Sequence, residues 1–186
     1  MQNIPSVDLR DFLSGEPERK QKFVNEIGKA FEEIGFVALK GHFLDDQLVD
    51  ELYGEIRNFF SLPLETKYSY EIPGIGGQRG YVSFGKEHAK GRKEGDLKEF
   101  WHFGQYVASD SKYAKEYPEN VDVKELERFN EVGKKTYQML EKTGIYVLRA
   151  LALYIRLDEF YFDAYISEGN SILRPIHYPP ITDEPK

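Results

Sequence analysis

Two predicted helices meet in the segment Phe59-Phe60-Ser61-Leu62-Pro63-Leu64-Glu65-Thr66-Lys67. Upstream of it, apolar residues recur at spacings of three and four, which predicts a helix that begins near Asp45 or Asp46. Pro63 ends this helix, because proline has no backbone N–H and restricts the residue before it. The residues that follow can form one more turn. The apolar positions of the first helix are Leu48, Leu52, Ile56, Phe59 and Phe60.

The chain before this segment predicts a strand, a helix and a second strand. Residues 4–9 alternate in polarity, with Pro5 suited to the start of a strand or to an edge. A helix is predicted from Pro17 to Gly35, and the short apolar run 36–39, closed by Gly41, is typical of an inner strand. The apolar face of the helix carries Phe23, Ile27, Ala30, Phe31 and Ile34.

The chain after this segment begins with a glycine-rich region, residues 72–98, which predicts loops around one strand at 81–84. An aromatic run at 100–107 predicts a second strand. Helical spacing from Val123 to Ile155 then predicts one long helix, bent at Gly133 or Gly144. A short helix at 158–166 and a strand at 171–178 follow, and we find no internal repeat.

The composition predicts a globular domain and disfavours some classes of binding partner. Aromatic residues make up 15% of the 186 residues, far above the share in disordered chains. The formal charge of −7 disfavours nucleic acid and anionic membranes. The N-terminus has no secretory pattern, and the longest apolar run, 145–155, is too short to span a bilayer. We therefore expect a cytoplasmic protein with no nucleic-acid and no membrane partner.

Common catalytic motifs are missing from the sequence. The run 74–80 lacks the Lys-Ser/Thr pair of a phosphate-binding loop, and Tyr81 stands where a serine nucleophile elbow needs glycine. Since there is no cysteine, a metal would need His, Asp or Glu ligands. None of the four histidines, His42, His88, His102 and His177, has an acidic residue two positions later. A metal centre made of His88, Glu99 and His102 is kept as an alternative. The charged stretch 86–98 fits a solvated loop better than a binding patch.

Six segments, in the same order, resemble the isopenicillin N synthase-like family of non-haem iron oxygenases, which includes the 2-oxoglutarate dioxygenases. The segment 59–67 resembles the family's Phe-Phe-x-Leu-Pro-x-Glu-x-Lys, and 173–180 is similar to its Leu-Arg-x-Asn-Tyr-Tyr-Pro-Pro. In the latter, Ile176 replaces Asn and His177 replaces Tyr. The other four segments are Ile4–Leu9, Glu33–Leu39, Arg79–Tyr81 and Leu97–Glu99.

The resemblance implies an α+β fold: a helix-rich N-terminal region, a long spine helix and the first strands of an incomplete double-stranded β-helix of the jelly-roll type. It divides the chain into residues 1–120, 121–168 and 169–186. It also implies an oxidoreductase that oxidises a small organic substrate with Fe(II) and 2-oxoglutarate. By resemblance, Tyr178 contacts the carboxylate of 2-oxoglutarate or of the substrate, and Arg174 is an anion partner in the same cavity.

The family's His-x-Asp, distant His and Arg-x-Ser motifs follow the Tyr-Pro-Pro strand, and neither His-x-Asp nor Arg-x-Ser occurs in this sequence. We therefore expect the iron ligands beyond Lys186, and this chain alone to bind neither Fe(II) nor 2-oxoglutarate and to be inactive. A complementing C-terminal half is the expected partner, since missing strands leave unpaired edges. The alternative is a non-catalytic helical interaction module.

Overall fold

A computed structural model describes residues 3–88, 91 and 95–180. They fall into two compact units. The first, which we call the N-terminal unit, contains residues 3–46 and 138–169, and the second, the sheet unit, contains residues 47–137 and 170–180. One long helix contributes residues to both. This mixture of helices and strands confirms the predicted α+β class, whereas the three predicted divisions of the chain stay a prediction.

The N-terminal unit opens with strand β1 (Ser6–Asp8), helix α1 (Leu9–Phe12), helix α2 (Pro17–Glu33) and strand β2 (Ala38–Lys40). Strands β1 and β2 pair in parallel, with Val7 opposite Leu39. The predicted helix is confirmed. It ends where Gly35 adopts a φ of 81°, a left-handed conformation that glycine tolerates best.

Two predicted details of the N-terminal unit are wrong. Phe36 is 68% exposed, because the ladder with β1 begins only at Ala38, so the run 36–39 is not an inner strand. Phe31 is 39% exposed and does not belong to the buried face of α2. The core of the unit is built around Val7, Leu9, Phe12, Phe23, Val24, Ile27 and Ala150.

The sheet unit contains most of helix α3 (Asp46–Phe60) and all of helix α4 (Leu64–Tyr68), as the proline between them predicted. Strands β3 (Gly80–Val82) and β4 (Glu99–Gly104) follow, and then helix α5 (Glu127–Tyr154), whose last residues belong to the N-terminal unit. Helix α5 has 28 residues and runs without a break through Gly133 and Gly144. The predicted helix at 158–166 is only the short α6 (Asp163–Ile166), in the N-terminal unit.

The sheet is antiparallel, and β4 is its central strand. It pairs with β3 on one side, and on the other with two short strands, β5 (Ile172–Leu173) and β6 (Ile176–His177). The predicted single strand 171–178 is therefore interrupted. Pro175 cannot donate a ladder hydrogen bond, although its carbonyl still accepts one from the Trp101 N–H at 3.0 Å. Strand β3 is also shorter than predicted, and Phe84 beyond it is 45% exposed.

An aromatic cluster fills the core of the sheet unit. The Phe59 ring stacks on Phe129 with centroids 4.9 Å apart and meets Trp101 edge-on at 4.8 Å. All three side chains are fully buried, so each contributes its whole apolar surface to the core. The complete cluster is Phe59, Phe60, Tyr70, Tyr81, Trp101, Phe103, Val123 and Phe129.

Within the part of the chain that the structure describes, no helix has both the length and the apolar character needed to cross a membrane.

Candidate functional site

A cavity of about 400 Å³ opens on the sheet unit, within the size range of small-molecule pockets. Strands β3 and β4 form its floor, and the glycine-rich segment before β3 forms one wall. Arg174, from the break between β5 and β6, completes the lining. The lining residues are Glu71, Ile72, Pro73, Gly74, Gly76, Gly77, Tyr81, Val82, Lys86, Glu87, Phe100, His102 and Arg174.

His102 lies in this cavity in one defined protonation state. Its Nε2 accepts a hydrogen bond from Nε of Arg174 at 2.5 Å, and its Nδ1 lies 2.6 Å from the carbonyl oxygen of Gly77. A guanidinium can only donate, so Nε2 carries the lone pair and Nδ1 carries the proton. Burial, helped by the charges of Arg174 and Arg79, lowers the pKa of His102 to about 4. At neutral pH the ring is therefore uncharged.

Arg174 places its guanidinium group over an aromatic ring. Its Cζ lies 4.4 Å from the centroid of Phe100, while its Nη1 lies 3.3 Å from Oε1 of Glu87. The nearer partner of Glu87 is Lys98, whose Nζ lies 2.6 Å from Oε2. Lys98, and with a smaller effect Arg174, keep the pKa of Glu87 below its ordinary value, although burial opposes them. Arg174 is thus only weakly paired with Glu87.

A second polar network lies around Glu99. The Nζ atom of Lys67 lies 2.8 Å from one carboxylate oxygen, His177 Nδ1 lies 2.8 Å from the other, and the Tyr81 hydroxyl donates to the same group. Lys67 and Glu99 are each 4% exposed. Burial alone would raise the pKa of Glu99, but these hydrogen bonds outweigh it, and the pKa is lowered. The carboxylate is therefore charged, and it fixes three other side chains.

Arg79 has a structural position beside the cavity. It is 1% exposed, its Nη1 donates to the carbonyl of Gln78 at 2.7 Å, and its Nη2 donates to Oδ1 of Asn170 at 3.1 Å. A Cβ on Gly104 would lie 1.9 Å from its Cζ, so the guanidinium packs directly on backbone. The Arg-Gly-Tyr segment thus connects the loop before β3 to the chain that enters β5.

The two residues predicted to bind carboxylates occupy different surroundings. Arg174 lines the cavity. Tyr178 does not line it and is 67% exposed, while its neighbour His177 stacks on Phe60 with ring centroids 5.0 Å apart. The described structure therefore does not bring Arg174 and Tyr178 together around one ligand.

The alternative metal centre of His88, Glu99 and His102 is wrong. Both ring nitrogens of His102 and both oxygens of Glu99 are hydrogen-bonded to other groups, and His88 is exposed. Among residues 3–88, 91 and 95–180, no group of three or more His, Asp or Glu side chains could hold a metal ion. The described residues therefore do not fit Fe(II), whereas Arg174 fits a carboxylate. Part of the charged loop 86–98 lies outside the described residues.

Sequence reasoning missed the pair of Lys67 and Glu99 and the role of Phe100 beneath Arg174. One signal for the pair was present, because Glu99 directly precedes four residues of which three are aromatic. A carboxylate inside such a strand is rarely buried without a partner. Lys67, 32 positions earlier, could not be identified as the partner from the local sequence pattern.

Comparison with known proteins identifies the family. Residues 4–125 match the family described as non-haem dioxygenase in morphine synthesis, N-terminal. The chain belongs to this family, which confirms the resemblance drawn from its six segments.

Individual relatives agree with this assignment. A 2-oxoglutarate-dependent dioxygenase of Dothideomycetidae sp. is 30% identical over 189 residues, which cover 95% of this chain and 55% of that protein. A Caulobacter crescentus structure described as a 2OG-Fe(II) oxygenase family protein has a TM-score of 0.85 and 35% identity, over 99% of this chain and 59% of that one. A full-length Neurospora crassa protein solved in complex with alpha-KG has a TM-score of 0.75 and 27% identity, over 95% and 51%. The chain thus spans little more than half the length of these relatives.

Proposed function

We propose that this chain forms the N-terminal part of an Fe(II)- and 2-oxoglutarate-dependent oxygenase that oxidises a small organic substrate. The observation that carries the proposal is the cavity on β3 and β4, on a chain whose family and structural relatives are 2-oxoglutarate oxygenases. Bound Fe(II) and 2-oxoglutarate would supply the oxidising chemistry in the complete enzyme. The role of this chain is to support the pocket wall and to orient ligands.

Arg174 and Tyr178 are the residues that we propose for binding carboxylate ligands. Arg174 offers a guanidinium whose position is fixed by Phe100 and His102. Tyr178 offers an exposed hydroxyl next to His177, whose ring is fixed by Glu99 and Phe60. We assign Tyr178 to 2-oxoglutarate.

The remaining strands of a double-stranded β-helix would continue the sheet from β5 and β6. Among the described residues, these two strands pair only with β4, so their outer edge is open. Ile172 and Ile176 on them are 39% and 41% exposed. Both features suit a complementing C-terminal segment that supplies the iron ligands, and we propose that the chain alone is inactive. The same open edge would serve the alternative function, a non-catalytic interaction module.

A chimera tests the proposal. This chain would replace the matching region of the Caulobacter crescentus relative, which it covers to 59%. The purified chimera would be titrated anaerobically with Fe(II), with and without 2-oxoglutarate. We expect one Fe(II) per chain and the weak visible absorption band of the iron–2-oxoglutarate complex. The chain alone should show neither.

Two outcomes would contradict the proposal. A chimera that unfolds cooperatively as a monomer but binds no iron would favour the interaction module. Stoichiometric iron on the chain alone would show that its own residues hold the metal. Loss of the band on Tyr178→Phe in the chimera, with iron retained, would support the role of Tyr178.

A further inference from the structure

Arg174 has hydrogen-bonding capacity that the described residues leave unused. Its Nε donates to His102, and its Nη1 makes only long contacts to Glu87, at 3.3 and 3.4 Å. No described residue accepts a hydrogen bond from its Nη2. Because a guanidinium presents N–H groups in a planar fork, the Nη1–Nη2 edge matches the two oxygens of a carboxylate.

The surroundings of Arg174 keep this edge available. Phe100 packs against the guanidinium, with Cζ 4.4 Å from the ring centroid, so a ligand must approach from another side. His102 is neutral and fixes Nε, so it orients the group without adding a charge. Glu87 is the only carboxylate paired with Arg174 among the described residues, and it is held more closely by Lys98. An incoming carboxylate can therefore displace a weak contact rather than a strong one.

The rest of the cavity determines the size and polarity of the part of the ligand that is not the carboxylate. Ile72, Pro73, Val82 and Phe100 give it an apolar lining, and a volume of about 400 Å³ limits the ligand to a small molecule. The other charged lining residues, Glu71 and Lys86, form an ion pair with each other. A second negative charge on the ligand would find no cation in the described lining that is not already paired with a carboxylate, because Lys86 is held by Glu71.

From this geometry we infer that the cavity binds a small organic monocarboxylate with an aromatic or branched apolar body, and that Arg174 is its specificity-determining residue. The inference rests on the proposed function, because it makes this ligand the substrate of the oxygenase. It also assigns Arg174 and Tyr178 to different ligands. Arg174 binds the substrate carboxylate, whereas 2-oxoglutarate, a dicarboxylate, binds elsewhere.

The test compares two probes of nearly the same shape on the full chain, phenylacetate and phenylacetamide. Binding would be followed through the backbone amide shifts of Gly76, Gly77 and His102 in ¹H–¹⁵N spectra. A charge-assisted pair should favour the acid by on the order of ten-fold or more. Arg174→Met should abolish that preference. Arg128→Met, which removes another arginine paired with carboxylates but outside the cavity, should keep it.

A second variant keeps the inference testable if Arg174→Met does not fold. Glu87→Gln removes the competing carboxylate and keeps Arg174, so phenylacetate should bind several-fold more tightly. Equal binding of acid and amide, no binding of the acid, or unchanged binding of the acid in either variant would overturn the inference. Arg174-dependent binding of 2-oxoglutarate that is tighter than that of phenylacetate would overturn it as well. The iron titration of the chimera does not depend on these probes, so the two proposals can fail separately.

Discussion

Acidification from pH 7 to pH 5 should destabilise the sheet unit through His102. The folded pKa is about 4 and the ordinary value is 6.5. The unfolded chain therefore binds a proton more readily than the folded chain, so stability is fully present above pH 6.5 and is lost as the pH falls toward 4. At about 1.4 kcal/mol per pKa unit, the loss is roughly 2 kcal/mol by pH 5 and roughly 3 kcal/mol by pH 4.

Urea unfolding can measure this loss, because the single tryptophan, Trp101, is fully buried in the core of the sheet unit. The free energy of unfolding would be measured at pH 7, 6 and 5. His102→Gln should remove most of the change in this free energy between pH 7 and pH 5. His42→Gln, at an exposed position, should leave that change as it is in the wild type. If the His102 variant shows the same change as the wild type, the buried neutral imidazole is not its source and the reasoning fails.

Substitutions at three places, the Lys67–Glu99 ion pair, Phe59 and two helical glycines, test the buried charges and the packing. Glu99→Gln leaves the Lys67 ammonium buried without its counter-charge and should cost about 3–5 kcal/mol in urea unfolding. Adding Lys67→Met should recover part of that loss, and an equal or greater loss in the double variant would contradict the ion pair. Phe59→Ala, at a fully buried ring, should cost about 3–5 kcal/mol by the same assay. In thermal unfolding, Gly28→Ala should cost about 1–3 kcal/mol, because its Cβ would lie 2.1 Å from a tyrosine ring. The matched change Gly144→Ala meets no described atom within 4 Å and should stabilise its helix by up to about 1 kcal/mol.

The long helices could be predicted from the sequence, because their signals are local. Periodic apolar residues, Pro63 and Gly35 set the extent of α2 and α3 to within a few residues. The strands were less predictable, because their lengths depend on distant partners. Phe36 and Phe84 carry strand-forming side chains, yet both lie outside the ladders and are exposed. Only the fold decides where pairing stops.

The candidate site likewise combines a residue that the sequence could predict with contacts that it could not. The resemblance to the family predicted Arg174, because the motif that contains it is one short continuous segment. The contact that orients it comes from His102, 72 positions away, and the ion pair of Lys67 and Glu99 spans 32 positions. A single sequence does not show which residue is the distant partner, because the first contact depends on how the chain around Arg174 pairs with β4, and the second on how α4 packs against β4.

Strand β4 explains how this chain can hold a pocket wall by itself. Successive side chains of a strand point to opposite faces, so Trp101 and Phe103 pack into the aromatic core while Phe100 and His102 line the cavity. The core face is closed by rings in direct contact, which fixes the position of the strand. On the other face, Phe100 and His102 in turn fix Arg174. The orientation of Arg174 thus depends on contacts within residues 47–137 and 170–180, and its preference for a carboxylate should be measurable on this chain before any iron is bound.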